Sequence, residues 1–174
     1  MTRILLTSIA LCAATATSGW AQSPPASAQV AVGGKNISIR YSAPSVRGRK
    51  IFGPGGQVST DGTYPVWRAG ANNATAFSTD ADLMVGNLAV PKGKYTLYVA
   101  TDANPWQLII NKQTGQWGTE YDKARDLGRV PMTVTKPPAP IETYTMTLSS
   151  AGGNKAKLQL AWENVVASVD ITVK

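Results

Sequence analysis

Residues 144–173 read YTMTLSSAGGNKAKLQLAWENVVASVDITV, and this stretch decides the fold class. Apolar and polar residues alternate in three runs, which are separated by Gly152-Gly153-Asn154 and by a tight connection at Asn164-Val165. Alternation places successive side chains on opposite faces of a half-buried strand, and Gly and Asn between the runs favour turns. The stretch therefore predicts consecutive β-strands joined by short connections.

The same alternation occurs upstream, in residues 37–41, 95–99 and 106–110. Beyond residue 22, no segment carries the apolar stripe of an amphipathic helix, and turn residues are frequent between the alternating runs. We predict an all-β domain over residues 29–174. The expected architecture is an antiparallel β-sandwich, Ig-like or jelly-roll-like, with about nine or ten short strands and little helix.

The first 21 residues have the pattern of a secretory signal peptide. Arg3 precedes an apolar run over residues 4–14, and small residues follow up to Ala21. This run is too short to span a bilayer, which takes roughly 20 residues. We therefore expect cleavage after Ala21 and an exported protein, periplasmic or extracellular, without a membrane span. Residues 22–28 (QSPPASA) are expected to form a flexible linker.

Composition excludes several kinds of chemistry. The chain has no histidine, and its one cysteine, Cys12, lies within the predicted signal peptide. Histidine-dependent triads, imidazole bases and His-ligated zinc are therefore excluded, and the mature domain has no cysteine for a disulfide. No motif indicates a cofactor or a metal site. Although the formal net charge is +7, export and the absence of an RNA-binding aromatic motif argue against a nucleic-acid partner.

Two stretches, residues 42–66 and 112–131, lack the alternation and are the places where a site is expected. The first contains the cationic run Arg47-Gly48-Arg49-Lys50, which fits an anion clamp or a solvated loop. Trp67 and Arg68 follow it, then Asn72 in a small-residue turn. These offer a stacking face, a charge and an amide for a hydroxyl-rich ligand, although Trp67 is equally compatible with the core.

The second stretch contains Lys112 and, in the sequence TGQWG, Trp117, which we expect at the surface, whereas Trp106 is in phase with the core. Paired carboxylates are the alternative chemistry, because a glycosidase needs two of them roughly 5–10 Å apart. Glu120 and Asp122 would share a face on a strand, and Glu163 is the other candidate. No spacing distinguishes a catalytic pair from ordinary surface acids.

Five segments of the chain resemble, in order, a bacterial secreted family known as domain of unknown function 2911. The resemblance implies an exported β-rich domain without an established activity. One departure is Asn73, where the family pattern has an acidic residue. The matching segments are ISIRYSAPSVRGRKIFG (37–53), VWRAGANNAT (66–75), VPKGKYTLY (90–98), WQLIINKQTGQWGTEYD (106–122) and LQLAWENVVASVDI (158–171).

These observations favour a noncatalytic exported binding or accessory module for an anionic or hydroxyl-rich, saccharide-like ligand. A carbohydrate-acting hydrolase or isomerase and a structural envelope protein are the alternatives. The sequence does not identify the ligand or the oligomeric state. The residues expected to bind the ligand are Arg47, Arg49, Lys50, Trp67, Arg68, Asn72, Lys112 and Trp117.

Overall fold

The computed structural model describes residues 22–174, so the predicted signal peptide lies outside the described residues. They form thirteen strands and one turn of 3-10 helix at Lys123–Arg125. Within this range no helix has the length and apolar character needed to cross a bilayer. The strands are β1 Pro25–Val32, β2 Lys35–Ser42, β3 Val66–Trp67, β4 Thr75–Thr79, β5 Leu83–Val85, β6 Leu88–Val90, β7 Gly93–Ala100, β8 Gln107–Asn111, β9 Asp126–Pro131, β10 Thr133–Thr135, β11 Ile141–Ser150, β12 Lys155–Glu163 and β13 Val165–Val173.

The strands form two antiparallel sheets, which confirms the all-β prediction and is consistent with the sandwich. The first sheet has the order β1-β2-β4-β7-β8-β9, with β3 paired to β7. The second has the order β11-β12-β13-β5-β6, with β10 paired to β13. Contacts of β1 with β11 and of β6 with β9 bring the two sheets together at both sides.

The alternating residues supply the core between the sheets. Ile37 and Ile39 of β2 and Leu97 and Val99 of β7 are at most 1% exposed. In β2 the polar neighbours Ser38 and Arg40 face away from the core, as expected for a strand with one buried face, whereas in β7 the alternate residues Thr96 and Tyr98 are buried as well. The predicted tight hairpin is also present, because Trp162 pairs directly with Val165 across Glu163 and Asn164.

The number of strands and the predicted linker both need correction. Residues 22–174 contain thirteen strands rather than nine or ten, because several of the additional ones have only two or three residues, too few to show a period. The flexible linker predicted over residues 22–28 is wrong for residues 25–28, which begin β1 and pair with β2. Ala26 and Ala28 pack against the core there, and such small side chains produced no visible alternation in the sequence.

The two irregular stretches are long connections that leave the sheets and return. Residues 43–65 join β2 to β3 without a strand of their own, as predicted. The second stretch is irregular only as far as the 3-10 turn, since β9 begins at Asp126. Hydrogen bonds from Val46 N–H to Glu142 O (2.8 Å) and from Ala74 N–H to Gln116 O (3.1 Å) fasten these connections to neighbouring segments.

Candidate functional site

The long connection 43–65 and the turn after β3 enclose a cleft of about 230 Å³, called cleft A below. This volume lies between the 150 Å³ cavity that admits benzene and the ~300 Å³ at which pockets for drug-sized ligands begin. Cleft A is therefore large enough for a ligand of about one ring. Its lining includes Arg49, Gln57, Asp61, Trp67, Arg68, Asn72, Trp117 and Trp162.

Two stacked tryptophans form the base of cleft A. Trp67 from the first sheet and Trp162 from the second are each 3% exposed, and their rings lie 5.8 Å apart with 19° between their planes. Phe52 and Tyr144 pack edge-on against Trp67 at 5.6 and 5.1 Å. Trp67 is thus a core residue that also borders the cleft, so it cannot act as the exposed stacking platform considered from the sequence.

Arg68 and Asp61 form an ion pair across cleft A. The Arg68 guanidinium donates to the Asp61 carboxylate at 2.6 Å, and the two side chains are only 17% and 12% exposed. Asp61 also accepts hydrogen bonds from the N–H and hydroxyl of Thr63, at 3.3 and 3.2 Å. Because both side chains are largely shielded from solvent, loss of either partner should cost more stability than loss of a partner in a solvated surface pair. Asp61 therefore holds the end of connection 43–65 against the site.

Arg49 is exposed, and its guanidinium is oriented by neutral groups alone. It donates to Ser45 O at 2.7 Å, to Val46 O at 3.1 Å and to the side-chain oxygen of Gln57 at 2.9 Å. Within residues 22–174 no carboxylate lies within 4 Å of its charged nitrogens. A guanidinium has five N–H donors, so two of its donors remain for a ligand. With the Arg68–Asp61 pair neutralised, cleft A retains one positive charge.

The turn after β3 has an uncommon backbone conformation that fixes the far wall of cleft A. Ala69 and Asn72 have positive φ angles of 50° and 58°. Asn tolerates this region, but Ala in it is uncommon and costs about 1–2 kcal/mol. The fully buried Thr75 hydroxyl lies 2.8 Å from Ala69 O and 3.1 Å from Arg68 O, which holds the turn in place. Strain of this kind clusters at functional sites.

Trp117 lies at the rim of cleft A and is 45% exposed, which confirms its predicted place at the surface. It forms an isolated β-bridge with Asn73, and the next residue, Gly118, donates its N–H to Asn72 O at 3.0 Å. A Cβ on Gly118 would collide with the Arg68 side chain and would lie 2.7 Å from Asn72 O. Gly118 is needed because Arg68 and the turn approach its backbone so closely.

We expect Gly118→Ala to lower the free energy of unfolding by about 1–3 kcal/mol, the usual cost of overpacking. The added methyl group meets backbone oxygen as well as a side chain, so rotation of Arg68 alone cannot relieve it. Urea denaturation measures the loss. Gly115→Ala, in the same segment, is the control without a steric clash, because nothing lies within 4 Å of its Cβ position. Its positive φ of 82° adds a backbone cost to that variant alone. Full wild-type stability in Gly118→Ala would contradict this account.

The structure brings five of the eight predicted binding residues together in cleft A and leaves three outside it. Arg47 is exposed, and its backbone N–H donates to the Glu142 carboxylate at 2.9 Å. The Lys50 ammonium donates to Pro54 O at 2.7 Å. Lys112 borders a different, shallow cleft. The five residues in cleft A are Arg49, Trp67, Arg68, Asn72 and Trp117.

The candidate carboxylates do not border cleft A. Glu163 accepts from the backbone N–H groups of Ile51 and Phe52, at 3.2 and 3.4 Å, so it anchors connection 43–65. Glu120 and Asp122 border the cleft beside Lys112, in a loop and not on a strand. Asp122 caps the 3-10 turn by accepting from Ala124 N–H at 2.9 Å. Among the residues described, the one carboxylate that lines cleft A is Asp61, which the sequence did not single out.

A tyrosine network supports the cleft beside Lys112. The Tyr121 hydroxyl donates to Asp126 at 2.7 Å and accepts from Arg129 at 2.8 Å. Burial and the hydrogen bond to Asp126 raise the pKa of Tyr121 to about 12. Burial also raises the pKa of Tyr98, whose ring packs edge-on against Tyr121 at 5.0 Å. Both phenols keep their protons at neutral pH, which makes this network a structural support.

Comparison with known proteins gives one family. The profile of a family described as "Protein of unknown function (DUF2911)" matches residues 23–171, nearly the whole of the described range. No curated protein and no solved structure matches the chain. The match agrees with the resemblance carried by the five sequence segments.

Proposed function

The chain belongs to the DUF2911 family, whose description assigns no activity, and we propose from the site itself that the protein is an exported, noncatalytic binding module. Cleft A binds one ring of a hydroxyl-rich ligand that carries a single negative charge, such as a uronic acid. The observation that carries this proposal is the placement of Arg49, with unused donors and without an acidic partner among residues 22–174, beside an aromatic base.

The chemistry of the lining favours this ligand class. The free donors of Arg49 suit a carboxylate or phosphate oxygen, because a guanidinium presents parallel N–H groups. The side-chain amides of Gln57 and Asn72 supply donors and acceptors for hydroxyl groups. Trp117 at the rim offers an exposed aromatic face to the apolar side of a sugar ring. Among residues 22–174, Asp61 is the one carboxylate of the lining, and it is already held by Arg68 and Thr63, so a pair for acid–base hydrolysis is not formed there.

We expect Arg49→Ala to weaken binding of galacturonate at least tenfold, because a hydrogen bond to a charged group contributes about 1.5–3 kcal/mol. Isothermal titration calorimetry on residues 22–174 measures the dissociation constant, with galactose as the neutral counterpart of the same ring. Galactose should bind to the wild type more weakly than galacturonate does. Its dissociation constant should be the same for the wild type and for Arg49→Ala.

Arg47→Ala is the matched control for this experiment. It removes the same charge two residues away, from a side chain that does not line cleft A. Galacturonate should bind to this variant as it does to the wild type. Absence of galacturonate binding to the folded wild type, or an equal loss in the two arginine variants, would reject the proposed function.

A further inference from the structure

Two further clefts, next to cleft A, lie on the outer face of the first sheet. Cleft B, of about 290 Å³, is lined by Arg40, Ser42, Asn73, Gly115 and Gln116 among others. Cleft C, of about 190 Å³, shares Arg40, Ala76 and Gly115 with cleft B and adds Ser38, Ser78 and Lys94. Clefts B and C therefore adjoin each other on the face formed by β2, β4 and β7.

Cleft B also adjoins cleft A. Asn72 and Trp117 line cleft A, whereas their chain neighbours Asn73 and Gln116 line cleft B. The isolated β-bridge between Asn73 and Trp117 forms the ridge that separates the two. The exposed Trp117 ring lies at this ridge. Clefts A, B and C thus follow one another in a row, with Trp117 between the first two and Arg40 between the last two.

Each of the three clefts contributes positive charge. Arg40 and Lys94 are exposed, and among residues 22–174 no carboxylate lies within 4 Å of either charged group. The register pairs Arg40 with Ala76, and Lys94 with Ser78 on the same central strand. At about 4.8 Å between strands and 3.4 Å per residue, the Cα atoms of Arg40 and Lys94 lie about 12 Å apart. The cations are thus spaced along the face, not clustered.

A buried amide, that of Gln116, forms part of the wall of cleft B. Gln116 is 8% exposed, and its amide nitrogen donates to Tyr98 OH at 3.0 Å and to Thr96 Oγ1 at 3.3 Å. Those hydroxyls donate onward to Glu120 O and Gln113 O, which fixes the orientation of the amide. Its carbonyl oxygen has no hydrogen-bond partner among residues 22–174. This oxygen has almost no accessible surface, so Gln116 shapes the wall of cleft B and holds the Tyr98 and Thr96 hydroxyls without offering an acceptor to a ligand.

Resting on the proposed function, we propose that clefts A, B and C form one track for an extended acidic polysaccharide, with a ring in each cleft. The ladders of β2, β4 and β7 use the backbone groups beneath the track, so recognition is left to side chains. That arrangement disfavours a peptide, which would pair with a sheet edge. Ser38, Ser78 and Asn73 supply hydroxyl and amide groups beside the cations, as a polyhydroxylated chain requires.

The test compares galacturonic acid chains of one, two, four and six units by calorimetry on residues 22–174. We expect the hexamer to bind at least tenfold tighter than the monomer, because linked contacts act at a high effective concentration. The double variant Arg40→Ala/Lys94→Ala should bind the hexamer at least tenfold more weakly than the wild type does. Its affinity for the monomer should stay within twofold of the wild-type value. Arg49→Ala should weaken binding of both.

Controls separate the track from unspecific charge and from the proposed function. Lys136→Ala/Lys155→Ala removes two exposed cations that do not line the three clefts and should bind the hexamer as the wild type does. A hexamer that binds no tighter than the monomer would overturn the track and leave the proposed function standing. Failure of every chain length would overturn both. Equally tight binding of a six-phosphate oligothymidylate would overturn the assignment to a polysaccharide.

Discussion

Replacing Trp67 by alanine is expected to lower the free energy of unfolding by about 3–5 kcal/mol, the largest stability loss that we predict for a single residue of the site. Trp67 is 3% exposed and contacts the rings of Phe52, Tyr144 and Trp162, so its removal opens a cavity where the two sheets meet. The same substitution removes the base of cleft A, and galacturonate binding should be lost with it. Urea denaturation and calorimetry measure the two effects.

Trp117→Ala is the matched control, since it deletes the same side chain from the rim of the same cleft. Trp117 is 45% exposed, and a surface substitution of this kind changes stability by about 0.5 kcal/mol or less. Its expected effect is confined to ligand affinity, which should fall severalfold. A stability loss in Trp117→Ala as large as that in Trp67→Ala would contradict the division between core and rim.

The fold was predictable because alternation is a local property of the chain. β2, β11, β13 and β12 as far as Leu160 bury every second side chain over most of their length, and one window of sequence records that pattern. β7 alternates in sequence in the same way, although both of its faces are buried from Tyr95 to Ala100. β1 escaped detection since Ala26 and Ala28 are too small to stand out from their polar neighbours, although the strand is fully paired with β2. Strands of two or three residues such as β3 and β5 depend on their partners and contain no period to read.

The site was predictable only in its residue types. Arg49 and its neighbours Arg47 and Lys50 belong to one cationic run, yet only Arg49 lines cleft A. No rule of spacing reports side-chain direction in a connection without regular structure, so the sequence could not separate them. Asp61 was overlooked for the same reason. Its partnership with Arg68 depends on the Asp61–Thr63 turn, and the Asp-Gly pair at residues 61–62 was the available signal for that turn.

Asp61→Ala is expected to lower the free energy of unfolding by about 3 kcal/mol, because it leaves the Arg68 charge at low exposure without its partner. It also removes both acceptor contacts to Thr63, which releases the end of connection 43–65. Asp61→Asn keeps an oxygen acceptor for Thr63 and should lose less, about 1–2 kcal/mol. Thermal and urea denaturation of the two variants measure the difference. Equal stability of Asp61→Ala and the wild type would mean that the pair behaves as a solvated surface pair.

Ligand affinity in Asp61→Asn should change in the direction opposite to stability. The substitution removes the only carboxylate that lines cleft A among the residues described. The net charge of the cleft therefore rises from one positive charge to two, those of Arg49 and Arg68. Galacturonate should bind several times tighter, and the gain should shrink as salt screens the added charge. Galactose should bind unchanged because it carries no charge to gain. A variant that is less stable yet binds the uronate better would mean that Asp61 serves the fold at the expense of the site, whereas weaker uronate binding would mean that Asp61 itself contacts the sugar.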